Sequence, residues 1–239
     1  MGQPTTFEQV FTASIEAMGG TAAIEKIASI TATAHCTSPR GGYITELQSM
    51  RGDRLMFTQL WPEHPPLIAC LNGQYAWVRY AATGAVELLD PISASIIRAH
   101  EFQFLPIVMA SRYNNIRLIG QKEIAGICCD VVGMTDELGQ PSRAYFSRTS
   151  HLWVGMTLTD PRRGEQAEVQ VIIDQWAMLE GVRLPSKVIA SDSAGDFVLN
   201  FHTIRLNTVD PAIFAVPAEI LDGAEYAVSE IEKGAYRDD

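Results

Sequence analysis

Residues 172–192 read IIDQWAMLEGVRLPSKVIASD. An apolar run breaks at Glu180-Gly181 and resumes as an alternating run that carries Arg183 and Lys187. Two β-rich runs separated by two turn-forming residues predict an antiparallel hairpin. Pro185 lies inside the second run, and a residue with no N–H to donate belongs on an edge strand or at a bulge. The stretch thus predicts a sheet with edges and irregularities.

Outward from the hairpin the same period of two dominates. ITATAHCT sets Ile30, Ala32, Ala34 and Cys36 against Thr31, Thr33 and His35, as a half-buried strand does. Asn72-Gly73 predicts a type I′ turn. It leads into QYAWVRYA, with Tyr75, Trp77 and Arg79 on one face. Helical spacing is confined to two places. Residues 6–28 place Phe7, Val10, Phe11, Ile15 and Met18 on one stripe, stopped by Gly19-Gly20, before a second short helix. Residues 91–111, PISASIIRAHEFQFLPIVMAS, interrupt the strands; Pro91 suits a helix start and Pro106 splits the segment into two helices. About five strands precede this insert and six or seven follow it. No helix recurs between the late strands, so parallel βαβ units are excluded and one antiparallel sheet in a single domain over 1–239 is expected. The end, from about 221, reads as a flexible solvated tail.

Composition narrows the function classes. Of 239 residues 47% are apolar and 19% charged, which is globular. A net charge of −10 and a pI near 5.0 exclude a phosphate-backbone partner and a polybasic membrane patch. No apolar run reaches the ~20 residues of a transmembrane helix. The opening MGQPTTFEQVF has neither the basic nor the apolar region of a secretion signal. A cytoplasmic location follows, or a periplasmic one with a leader removed. Cys36, Cys70, Cys128 and Cys129 lack C-x-x-C spacing and read as small hydrophobes. Oligomeric state is left open.

Several stretches together resemble the bacterial outer-membrane lipoprotein-sorting-like proteins of the LolA/LppX fold. They are EAMGGTAAIEKIASI, LNGQYAWV, IIDQWAMLEGVRLPSKV and IRLNTVDPAIFAVPAEI. The matching residues are Gly19 and Gly20; Lys26, Ile27 and Ser29; Asn72, Gly73 and Trp77; Asp174, Gly181 and Pro185; and Asn207, Asp210, Phe214 and Pro217. Asn207 and Asp210 stand three apart where the family pattern has four. The resemblance spans roughly residues 7–220. It implies a mainly β (α+β) architecture: a curved antiparallel sheet forming an incomplete β-barrel, with short helices covering the concave face. It further implies an apolar cavity between sheet and helices, and relatives that carry acyl chains or lipoproteins.

No P-loop, dinucleotide fingerprint, H-E-x-x-H, G-x-S-x-G or EF-hand pattern is present, so no cofactor and no resident metal are expected. Two readings remain. In the first, the protein binds a hydrophobic small molecule or lipid. Tyr75 and Trp77 supply an aromatic wall, Arg79 meets a ligand carboxylate, and Phe102, Phe104, Leu105 and Met109 of the insert line the cavity. In the second, it is a cofactor-independent isomerase, cyclase or lyase. His35, Glu46, His100 and His202 then converge as general acid and base, with His202 sharing a face with Asn200 and Ile204. The plainer account of each polar residue is a solvated sheet face, and of each aromatic, core packing. Arg162-Arg163 reads as a solvated turn tip.

Overall fold

The computed structural model describes residues 6–160 and 168–221. Helix α1 (Phe7–Met18) and the single turn α2 (Thr21–Ile24) come first. Then follow β1 (Ser29–Ser38), β2 (Gly41–Met50), β3 (Arg54–Leu60), β4 (Leu67–Asn72), β5 (Tyr75–Tyr80) and β6 (Val86–Leu88). The insert forms α3 (Pro91–Ala99) and α4 (Leu105–Arg112), with Pro106 in the first turn of α4. Next come β7 (Asn114–Ile124), β8 (Ile127–Thr135), β9 (Pro141–Ser147) and β10 (Trp153–Thr159). The sheet finishes with β11 (Glu168–Leu179), β12 (Val182–Asp192) and β13 (Gly195–Leu206). A 3-10 turn at Pro211–Phe214 and a helical turn at 218–221 follow. The expected tail, apart from Leu221, and Arg162-Arg163 lie outside the described residues.

The thirteen strands make one antiparallel sheet in the order β6-β5-β4-β3-β2-β1-β13-β12-β11-β10-β9-β8-β7. The chain enters at the middle and steps outward from β1 to the edge at β6. The insert then crosses to the opposite edge, β7, and the chain steps back to β13 beside β1. The two edges are not paired, so the barrel stays open, as the motifs imply.

The inward face is set by alternation. Ala32, Ala34 and Cys36 of β1 and Tyr43 and Leu47 of β2 point into the main core. So do Ala144 and Phe146 of β9 and Leu199 and Phe201 of β13. Helix α1 contributes Val10 and Phe11, and Phe11 meets Phe146 edge-to-face with ring centroids 5.3 Å apart. Such a pair adds about 0.5–1.5 kcal/mol to the area it buries. The insert contributes Phe102, Leu105 and Met109. A second cluster of Met18, Ile24, Ile27, Ile30, Phe104, Val182 and Leu184 plugs one end of the half-barrel.

The opening hairpin is formed as expected. Glu180 and Gly181 both take positive φ, 49° and 84°, as a type I′ turn requires. Pro185 lies in an interior strand, not at an edge. The β12–β13 ladder starts only at Lys187, and the β11–β12 register slips around Gln175. A missing N–H therefore breaks no bond with β13. At the slip, Lys187 pairs with Asp174 at 2.8 Å.

The hairpin also anchors α1. A Cβ built on Gly19 would sit 2.3 Å from the Gly181 carbonyl oxygen, and Gly19 has φ 135°. Arg183 donates to the Ala17 carbonyl at 2.5 Å, satisfying an end of the helix. A comparable joint closes the chain: Asn207 Oδ1 accepts from the Ala28 and Ser29 amides at 2.7 and 3.3 Å. Its Nδ2 donates to Lys26 O at 3.0 Å.

At Asn72-Gly73 the register differs from the expected one. Asn72 pairs with Tyr75, so Gly73 and Gln74 are the loop residues, and Gly73 takes positive φ, 58°. A type I′ turn needs it at both. The Asn72 side chain instead donates to Phe214 O at 3.0 Å, holding the C-terminal segment on the outer face.

The insert is tied down by an ionic network with one buried member, Glu101. Arg98 reaches Asp53 at 2.9 Å, Gly73 O at 2.9 Å, and Glu137. Arg112 reaches Glu101 at 2.6 Å and Asp53 at 3.1 Å. The network joins the β2–β3, β4–β5 and β8–β9 turns through the two helices. Glu101 is 3% exposed. Burial pushes its carboxyl up to about 7 while the Arg112 guanidinium pulls against that rise.

Two outcomes follow for stability. Gly19→Ala should cost about 2–5 kcal/mol in urea unfolding, from strain and overlap together. Gly181→Ala, at a position open to solvent, should cost only about 1–2 kcal/mol; equal losses would contradict the helix–hairpin joint. Glu101 binds its proton more tightly folded than unfolded. Its contribution is therefore full below pH ~4.5 and lost as pH rises through about 7. Wild-type stability relative to Glu101→Gln should accordingly decline across that window, and a flat difference would exclude the raised carboxyl.

Candidate functional site

A cavity of about 480 Å³ lies between the concave face and the insert. Ala190 of β12 is a small inward residue of its lining, and Ser95, Ile96, Ala99, His100 and Phe102 of the insert cover it. The volume lies within the usual ~300–1,000 Å³ of small-molecule pockets.

The walls differ in chemistry. On one side stand Tyr43 of β2, Phe57 of β3 and Trp61 just beyond β3, with Phe102 of the insert above them. Tyr43 and Trp61 are stacked, with centroids 4.2 Å apart and planes 16° from parallel. Trp61 Nε1 donates to Gln59 Oε1 at 3.3 Å, which fixes the indole. On the other side are Leu158, Val169, Val171, Ala190 and Leu199 of β10–β13, joined by Phe197. Burial pushes the Tyr43 phenol above its ordinary range and lifts the Tyr113 phenol to about 12, so both stay neutral donors.

Polar groups gather at the strand ends beside the β1–β2, β8–β9 and β12–β13 connections. Arg40, Gln140, Asp160 and Asp192 line the cavity there, and Arg40 is exposed. The Met18–Phe104–Leu184 cluster lies at the other end of the half-barrel and takes no part in the lining. Asp136, also in the lining, accepts from Ser95 Oγ at 2.8 Å and from the Leu138 and Gln140 amides at 2.9 and 2.8 Å.

Of the residues singled out in the sequence, His100 and Phe102 line the cavity. His100 Nδ1 lies 2.7 Å from the Ile96 carbonyl, to which it donates, and the ring packs against Phe57 and Phe102. Leu105 and Met109 lie beneath it in the main core, and Phe104 belongs to the plug. The remaining polar candidates are elsewhere. His35 and Glu46 are exposed on the outer face, opposite Ala34 and Cys36 in the alternation. His202 is also exposed, and its ring lies 4.5 Å from that of His35. A bulge explains its company: Thr33 pairs Thr203 while Ala34 pairs Phe201, leaving His202 as the extra residue. Ile204 is thereby turned inward, away from the face of Asn200 that the sequence suggests.

Tyr75, Trp77 and Arg79 do share a face of β5, but it is the outer one. Trp77 is 1% exposed there, packed with Cys70 and Ile220 beneath the C-terminal segment. The ring wall of the cavity comes instead from Tyr43, Phe57 and Trp61, which sequence reasoning missed. Cys36, Cys70 and Cys129 are buried free thiols and Cys128 is exposed. Among the described residues no group of His, Cys, Asp and Glu could hold a metal ion, and no helix is long and apolar enough to cross a membrane.

At the level of sequence, no family model and no characterised protein matches this chain. Solved structures do. A LolA superfamily protein from Nitrosomonas europaea superposes with a TM-score of 0.64 at 12% identity, over 89% of this chain and 99% of its own. A DUF1329 family protein from Desulfovibrio piger gives 0.60 at 10% identity, over 87% and 96%. A domain named for outer-membrane lipoprotein sorting, from Vibrio parahaemolyticus, gives 0.58 at 13% identity, over 87% and 96%. The likeness implied by the scattered motifs holds in three dimensions: this chain has the LolA-type half-barrel fold.

Proposed function

We propose that the protein is a carrier that holds a hydrophobic small molecule or lipid between its sheet and its helical insert. The observation that supports this most directly is the cavity itself: apolar on both long walls and polar at one end. An apolar ligand entering it loses water from most of its surface, worth about 25 cal/mol per Å² buried, before the costs of association. The polar end keeps a headgroup hydrated. The name of the Vibrio domain fits a carrier on this fold, by analogy of architecture alone.

The alternative, a cofactor-independent enzyme, relied on four polar residues meeting in the cavity. His100 is in its wall, whereas His35, Glu46 and His202 are on the opposite face of the sheet. No observation favours that reading over the carrier.

Native mass spectrometry of freshly purified protein should reveal a co-purified apolar molecule, released on denaturation. Ala190→Phe, which projects a ring into the cavity, should lower affinity for N-phenyl-1-naphthylamine at least tenfold, with the circular dichroism spectrum unchanged. Unaltered binding by a folded Ala190→Phe protein would remove the cavity from the account.

A further inference from the structure

The two walls of the cavity are unlike, and the difference carries information about the ligand. Tyr43 of β2, Phe57 of β3 and Trp61 just beyond β3 present rings, and Phe102 adds one from the insert. The opposite wall is mainly aliphatic, from Leu158 to Leu199, with Phe197 adding one ring beside them. Trp61 is half-buried: one indole face is covered by the Tyr43 ring at 4.2 Å, and its edge is held by Gln59. The stacked Tyr43–Trp61 pair borders the cavity. It is a flat, fixed platform whose orientation is set before any ligand arrives.

Resting on the carrier reading, we propose that the ligand class is a flat, ring-bearing hydrophobic molecule with one hydrogen-bonding end. A saturated single-chain lipid is the class disfavoured. The physical reason is geometric. A flexible chain gains the same burial from any apolar wall and has no use for a fixed plane, while it loses rotamer freedom on binding. A fused-ring molecule loses little freedom and gains offset stacking, which depends on a plane held in place. The cavity of about 480 Å³ is of the size that encloses a single compact molecule. The aliphatic wall then covers the second face of the ring system. The ligand's polar end lies toward Arg40 and Gln140 of the lining.

Two alcohols with the same polar end separate the classes: 9-anthracenemethanol and 1-dodecanol, each measured by equilibrium dialysis against the full chain. Trp61→Leu keeps the apolar volume and removes the platform. It should weaken 9-anthracenemethanol about three- to tenfold and leave 1-dodecanol within about twofold. Val171→Ala, on the aliphatic wall, should weaken both alike. Thermal melts of each variant report that it is folded. If Trp61→Leu changes both alcohols equally, or neither, the platform does not select the ligand and this inference falls while the carrier reading stands. If neither alcohol binds the wild-type protein, the carrier reading falls with it.

Discussion

The fold depends on a topological constraint: the two edges of the sheet are joined to each other by the helical insert. A sheet whose edge strands belong to consecutive stretches of chain could close into a barrel by pairing β6 with β7. Here the connection between them runs across the trough, so closure and coverage compete for the same segment. Coverage prevails because the insert is too apolar to lie outside. Phe102, Leu105 and Met109 are each buried, at a gain of about 1.5–3 kcal/mol apiece. The ionic network of Arg98, Arg112, Asp53 and Glu101 then fixes the insert over the opening. Everything else, including the existence of a cavity, follows from a sheet that curves without closing.

The residues that carry the family likeness turn out to be joints. Gly19 touches Gly181, Asn207 grips Lys26, Ala28 and Ser29, and Asn72 holds Phe214. Each links segments distant in the chain at a place where backbone approaches backbone. Such positions tolerate few side chains, which is why they were readable as motifs. None lines the cavity. The wall of a hydrophobic pocket accepts many combinations of apolar residues of similar volume, so it leaves no fixed pattern to read.

The same distinction accounts for what could be read in advance. Alternation in ITATAHCT revealed a strand with two faces, and Pro106 revealed a helix break, because both effects are local. Which face is concave is not local. Tyr75 and Trp77 have the composition of a pocket wall, but a segment more than a hundred residues later covers them on the outside. His202 was misassigned its neighbours because one extra residue at a bulge reverses the alternation beyond it. Tyr43 and Trp61 escaped notice because their stacking joins two separate strand runs, and neither run alone shows it.

The seam between β1 and β13 has a consequence for how the molecule is made. Each half of the sheet is a meander whose strands pair with their neighbours in sequence, and such contacts form early. Among the strand pairs of the described sheet, only the seam joins distant chain: Ala28 and Asn207, which meet beside it, are 179 residues apart. During synthesis the first half-sheet must wait, its concave apolar face and the inner edge of β1 uncovered, until nearly the whole second half has emerged. Its exposure to unwanted pairing is greatest in that interval. The threonines and histidine that line the outer face of β1 keep one side of the waiting strand polar, and the early helix α1 is at hand to shelter the other.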